Sequence, residues 1–462
     1  MFLSDCVSDL QAAPVSFSLQ VPHAWVQTFQ IPWESISPSL SFAMSRGERA
    51  GATDRRAMVR AVVDAMRQRC ANPSRAACVE VAKMIVSNYP LTFADRTEEG
   101  EQLGTGYFSL LNQLKSRVDN LNRGGSVPLK RRQPRAPRSS KKASTYPRTL
   151  RKCKKHSYGC VNWQPALPQN KSSSSLENKR KEMVEIFTAR GAGAAETPRV
   201  AELMALTYAL QRRMINSSPV LNVAAVRAQF PFLFTKSCLN EHFRTLTGVD
   251  LLPRLREALL NKGARIRTFF WSQNRDQHQT RDQTRDLWRL LEWTDTDQRQ
   301  TGLSALLLVM KHFLEREEAI FVHLSSNKTM IQNIKQNLQW SGDSVLASRR
   351  WMVSLDRAVV FESESSFADA LAVFFCCFYV FNLEYEEPAC ATLELIQRYF
   401  ARINPAEGTK CTAKTGVSRK TGETVTRKTE TINCRVASFL RRLSEPGLSQ
   451  GNEDTKRCLT TL

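Results

Sequence analysis

From Asp54 onward, Met58, Val59, Val62, Val63 and Met66 recur at three-to-four spacing behind a Thr53/Asp54 cap, which predicts an amphipathic helix. Asn72-Pro73-Ser74 opens a second, in which Cys78, Val81, Ala82, Ile85 and Val86 share one face until Tyr89-Pro90 ends it. A third carries Tyr107, Leu110, Leu111, Leu114, Val118 and Leu121 on one stripe. Three helices of this length can bury one another, so residues 53–123 read as a small three-helix domain. Residues 1–52, where Trp25, Phe29, Ile31 and Trp33 are separated by prolines, read as an irregular arm that docks by its aromatic side chains.

Helical spacing resumes at Leu176, and residues 176–405 read as a second, larger domain. Helices are expected over Leu176–Ala189, Arg199–Asn216, Val220–Ala228 and Ser237–Leu246, then over Leu251–Asn261, stopping before Gly263, and over Thr301–Glu315. The period then changes. Ala319–Leu324 and Arg350–Phe361 are rich in β-branched and aromatic residues, which predicts strands of a small antiparallel sheet. Phe367–Asn382 and Ala389–Ile403 read as closing helices. The longest apolar run, Ala370–Leu383, is shorter than the roughly 20 residues a membrane-spanning helix needs. Acidic residues flank it, so a buried core helix is the expectation.

Charge adds a boundary to this picture. The formal net charge is +22, and twelve lysines and arginines without one acid lie between Lys130 and Lys155. Another eleven cations against six acids fall in 406–462, which leaves the helical segments close to balance. Proline and serine interrupt the basic run and it offers no apolar face, so residues 124–175 read as a disordered cationic tether and 406–462 as a basic, largely disordered tail. Lys130, Arg131 and Arg132 followed by Lys141 and Lys142, with Arg151, Lys152, Lys154 and Lys155 beyond, have the form of a bipartite nuclear address. The same cations would serve as phosphate contacts, and phosphate binding would then be strongly salt-dependent. Lys115, Arg117 and Arg123 on the third helix are candidate surface contacts, although Asp119 shares that side.

Other chemistry finds little footing. The six histidines sit in unrelated contexts, with no H-E-x-x-H and no G-x-S-x-G. Cys153, His156 and Cys160 lack the second ligand pair that a structural zinc needs. Leu103-Gly104-Thr105-Gly106-Tyr107 has neither the third glycine nor the lysine of a phosphate loop and reads as a turn. Glu384, Glu386 and Glu387 read as a solvated loop, and Phe230–Phe234 as core. Twelve scattered cysteines fit reduced, buried thiols. The N-terminal MFLSDCVSDLQ has no basic segment followed by an apolar one, so a secretory signal is not expected.

FQIPWESISPSL, DRRAMVRAVVDAM, NPSRAACVEVAKMIVSNYP and GYFSLLNQLKSRVDNLNR resemble the vertebrate, fish-type sterile alpha motif domain-containing protein 3-like family. So do YGCVNWQPALP, SLENKRKEM, FPFLF, LNEHFRTLTGVD, WMVSLDRAVVF and FNLEYEEPACATLELIQR in the second half, and SRKTGETVTRKTETIN near the end. The resemblance covers most of the chain and implies no catalytic signature. The sterile alpha motif itself, a five-helix bundle, has no counterpart in the short, proline-broken stretch before residue 50. The whole reads as a mainly α protein with a minor sheet that works by binding rather than turnover. It is expected to be an intracellular, nuclear or nucleocytoplasmic adaptor with a protein partner, no cofactor, no metal, no membrane and no small-molecule substrate. A nuclear DNA- or RNA-binding regulator is the alternative.

Overall fold

A computed structural model of the chain describes residues 24–124, 164–167, 172–217, 221–275, 300–324, 336–364, 366–406, 408–411, 414–417, 424–427 and 432–444. Two units emerge: one draws on Met1–Phe93 and Leu110–Arg131, the other on Ala94–Ser109 and Arg132–Leu462.

In the first unit the helices are α1 (Ala24–Gln27), α2 (Pro38–Ser45), α3 (Ala52–Arg69), α4 (Arg75–Asn88) and α5 (Pro90–Phe93), with the body of α6 (Phe108–Gly124) from Leu110 onward. Ser37 and Ser74 cap α2 and α4 by accepting the amides of Leu40 and Ala77 at 3.3 and 3.2 Å, which satisfies donors that a helix start leaves open. The apolar stripes meet as their spacing dictates. Met58, Val62, Val63 and Met66 of α3, Val81 and Ile85 of α4, and Leu110, Leu114 and Val118 of α6 are buried. Arg55 is buried with them, donating to Gln113 Oε1 at 2.9 Å and to the Phe93 carbonyl at 3.1 Å. The N-terminal arm packs here too: Val26, Phe29, Ile31 and Leu40 are buried, and the Trp33 ring stands edge-on to Tyr89 at 4.9 Å.

The second unit is mainly helical with a small sheet. Its helices begin with α7 (Ser173–Arg190), α8 (Pro198–Leu206), α9 (Tyr208–Ile215), α10 (Val223–Gln229), α11 (Lys236–Thr247) and α12 (Leu251–Arg275). Then come α13 (Thr301–His312) and α14 (Phe367–Val380), followed by α15 (Cys390–Leu395), which runs on as a π-helical turn Ile396–Phe400, and α16 (Cys434–Leu443). Buried on every side from Ala370 to Val380, α14 is the core helix that its unbroken apolar run predicts.

The sheet has the order β1 (Phe321–His323), β2 (Gln336–Ser341), β3 (Arg350–Leu355), β4 (Ala358–Glu364). It is mixed rather than purely antiparallel, because β1 pairs with β2 in parallel while the other two pairs are antiparallel. A second ribbon joins β5 (Lys414–Val417) to β6 (Thr424–Arg427). Arg350–Phe361, read as one strand, is a hairpin turned by Asp356 and Arg357, both at positive φ (47° and 67°). Two-residue hairpin loops of this kind usually announce themselves with a glycine. Here the Asp356 carboxylate helps hold the turn by accepting the Val223 amide at 3.1 Å.

Three further differences have physical causes. The expected helix Arg199–Asn216 breaks at Thr207, whose hydroxyl bonds back to the Leu203 carbonyl at 2.8 Å. Helix α12 does not stop at Gly263 but passes through it: a Cβ there would meet Gly302 Cα of α13 at 3.2 Å, so this glycine serves a close helix crossing rather than a terminus. Within the segment expected to be a largely disordered tail, α16 buries Val436, Ala437, Phe439, Leu440 and Leu443. Its Phe439 ring packs against Phe269, Phe270, His312 and Phe313.

Candidate functional site

Helix α12 starts after Gly248, whose positive φ of 76° ends α11, and it tolerates Pro253 because the first helical turn has no partner for that amide anyway. Along α12, Arg254, Ala258, Asn261, Lys262, Arg265 and Thr268 recur at three-to-four spacing and form one wall of a cleft of about 800 Å³. Phe400 and Arg402, where the chain leaves α15, contribute another part.

The π-helical turn shapes that second part. Ala401 N–H reaches back five residues to the Ile396 carbonyl at 2.8 Å, and Ile403 N–H reaches the Gln397 carbonyl at 2.9 Å. Arg402 lies between them in the left-handed region, φ 57°, a conformation normally left to glycine at helix ends. Lys262 is only 7% exposed. Its ammonium donates to the Tyr399 carbonyl at 2.7 Å and sits 4.5 Å from the Tyr399 ring centre, a cation held by a carbonyl and an aromatic face.

Facing these cations is a loop of the same unit, Ala94–Ser109. Its base is closed by Asp95 N–H on the Gly106 carbonyl at 2.6 Å and Leu103 N–H on the Asp95 carbonyl at 2.8 Å. The Asp95 carboxylate accepts the Ser109 amide at 2.7 Å and the Ser109 hydroxyl. At the tip, Gly100 N–H bonds the Thr97 carbonyl at 3.0 Å, so Glu98 and Glu99 occupy the two central positions of a β-turn.

Each tip carboxylate has its own partners. Glu98 accepts the Tyr399 hydroxyl at 2.6 Å and stands 3.5 Å from Arg265. Glu99 is 2.9 Å from the Lys262 ammonium and 3.3 Å from Arg402. Glu101 pairs with Arg402 at 2.6 Å and accepts from Asn404 Nδ2 at 3.3 Å. Burial, with Glu98 alongside, holds the Tyr399 phenol well above its ordinary range, so it stays a donor. The hydrogen bond to Glu101 raises the Arg402 guanidinium further still. The arrangement recognises three carboxylates presented on a peptide turn, using a buried ammonium, two guanidinium groups, a phenol and an amide.

The residues singled out from sequence lie elsewhere. Lys130, Arg131, Arg132, Lys141, Lys142, Arg151, Lys152, Lys154 and Lys155 fall outside the described residues. On α6, Lys115 is half-buried and pairs with Asp119 at 2.6 Å, Arg117 is half-buried, and Arg123 is exposed in the last turn. The cleft escaped notice because its parts are far apart in the chain. Glu101 and Arg402 are 301 positions from one another, and the cations of α12, although they outnumber its single acid Glu257, are spread along the helix and form no basic run. Only the acidic tip Thr97-Glu98-Glu99-Gly100-Glu101, next to a turn already legible in its glycines, was a local signal.

The stretch from α7 to the end of the Phe230–Phe234 segment has a counterpart among known proteins. Residues 176–235 match the family model described as sterile alpha motif domain-containing protein 3, helical domain. Over those residues the chain is similar to that helical domain. It is the part in which Met183, Val200, Leu203, Phe230, Phe232 and Leu233 are buried together. No curated protein and no solved structure matches the chain. Among the described residues no helix is long and apolar enough to cross a membrane, and no cluster of histidine, cysteine or carboxylate side chains has the form of a metal site.

Proposed function

We propose that this protein is a non-enzymatic protein-interaction adaptor of nuclear or nucleocytoplasmic location, with a helical unit that docks a partner and a basic tether that addresses or holds it near polyanions. The observation that carries the reading is the carboxylate-filled cleft of the second unit. Lys262, Arg265 and Arg402 are engaged in ion pairs with Glu99, Glu98 and Glu101, an arrangement suited to holding charge. The family's helical domain in the same unit fits a docking role. The second reading, a nuclear DNA- or RNA-binding regulator, is favoured by the twelve cations between Lys130 and Lys155.

Affinity capture from nuclear extract, with and without nuclease, separates them. The adaptor reading expects the same proteins to be retained after nuclease treatment and after the tether cations are changed to glutamine. Retention that vanishes under both treatments would replace it with the regulator reading. A fluorescent fusion of the intact chain that stays out of the nucleus would remove the nuclear address.

A further inference from the structure

We infer that the cleft between α12 and the Phe400–Asn404 segment is a receptor for short acidic peptide segments of a protein partner, and that the turn Thr97–Glu101 occupies it in cis until such a segment displaces it. The inference rests on the adaptor reading and names the chemistry of its partner.

Three of the receptor groups have anchors of their own besides the loop. Lys262 is held by the Tyr399 carbonyl and ring, and Arg254 by the Ala401 carbonyl at 3.2 Å. Arg265 donates to the Leu443 carbonyl at 3.0 Å, whereas for Arg402 only the backbone, left-handed where it closes the π-helical turn, is set apart from the loop, its guanidinium pairing with Glu99 and Glu101. With the loop withdrawn, Arg254, Lys262, Arg265 and Arg402 would face Asp250 and Glu257, a cationic excess ready for an anion. The loop carboxylates, by contrast, keep contact with water: the Glu98, Glu99 and Glu101 side chains are 20%, 32% and 30% exposed. Partly solvated ion pairs exchange partners readily.

Space and charge pattern decide what the ligand is. The cleft extends past the turn to Arg254 and Thr268, and its volume of about 800 Å³ lies in the range of pockets that enclose a peptide side-chain cluster or a small ligand. Asp250 and Glu257 in its wall would repel the unbroken charge of a nucleic-acid backbone, whereas a peptide can place neutral residues opposite them. The bound turn itself displays the required pattern, two adjacent carboxylates and a third beyond a glycine.

The test uses the full chain and a fluorescein-labelled peptide copying Thr97–Leu103, followed by anisotropy and hydrogen exchange. Saturable binding that weakens with salt is expected, tighter by about tenfold in the E98Q/E99Q/E101Q chain, where the competitor is neutral. It should be lost in R402G, which removes the guanidinium at a position where glycine relieves the backbone. In the unaltered chain, peptide addition should speed amide exchange in residues 94–109. If the triple variant does not fold, E101Q alone should still tighten binding by about threefold. No saturable binding to a folded loop variant, binding unaffected by R402G, or equal competition by a single-stranded oligonucleotide would overturn the inference. Should protein capture persist while peptide binding fails, the adaptor reading stands and this site falls.

Discussion

His242 illustrates what a single buried residue does to the whole. It lies within α11, its Nδ1–H donates to Gln211 Oε1 at 2.9 Å, and Gln211 in turn donates to the Met204 carbonyl and the Thr207 hydroxyl at 3.0 and 2.9 Å. Burial first, then the nearby Arg212 guanidinium, holds the imidazole well below 6.5, so it is neutral in the fold and must gain a proton only on unfolding. Below pH 6.5 the unfolded chain therefore binds more protons, and stability falls with acidification by up to about 1.4 kcal/mol per pH unit for this group. His312, lowered by burial among Phe270, Phe313 and Phe439 and by Arg442, adds in the same direction. Glu315, which burial raises while it caps the start of α15 through the Ala391 and Thr392 amides, works in the opposite sense at lower pH. Urea midpoints measured from pH 7 to pH 5 should drop for the unaltered chain and drop less steeply for His242→Asn. Equal slopes would show that His242 is not the group responsible. None of this was legible beforehand, since a histidine on an apolar helical face gives no sign of whether its second nitrogen will find water.

Elements were legible where one face alone is buried and obscured where neighbours set the rule. The stripes of α3, α4 and α6 announced themselves by spacing, and Ser74 and Pro90 marked the ends of α4. Gly263 misled because the same residue type stops helices and lets helices touch. Its partner Gly302 on α13 makes the point sharper, since a Cβ there would lie 2.6 Å from Leu259 Cβ and 2.7 Å from its Cδ2. Gly302→Ala should therefore cost about 2 kcal/mol by forcing α12 and α13 apart, despite alanine being the better helix former. Chemical denaturation of the variant checks this, and a gain in stability would mean that the crossing yields without strain. The β3–β4 hairpin was missed for a related reason: its turn is held by a contact with Val223, more than a hundred residues away, and not by local glycine chemistry. Strand β2 went unrecognised because Gln336, Asn337 and Gln339 dilute its apolar residues, although Asn337 and Gln339 are buried.

At the scale of the molecule, the composition shift at the tether suggested a clean division in the chain, with one unit on each side. The contact pattern is less simple, because Ala94–Ser109 belongs with the second unit although the chain on both sides of it belongs to the first. A fragment spanning residues 172–444 thus lacks its own acidic turn and the anchoring of Lys262 and Arg402 by Glu99 and Glu101. A synthetic peptide of residues 94–109 should raise the melting temperature of that fragment by a few degrees, as expected for ligand linkage at about a hundredfold excess over its dissociation constant. Differential scanning fluorimetry with a scrambled peptide as the control decides it, and no shift would show that the loop contributes nothing to the unit's stability. The excursion also changes how genetic lesions in this chain are to be interpreted. A truncation that removes the N-terminal helices deletes part of the C-terminal unit as well, so a lost function cannot be assigned to one side of the tether by deletion alone, and point substitutions within 94–109 become the informative alleles.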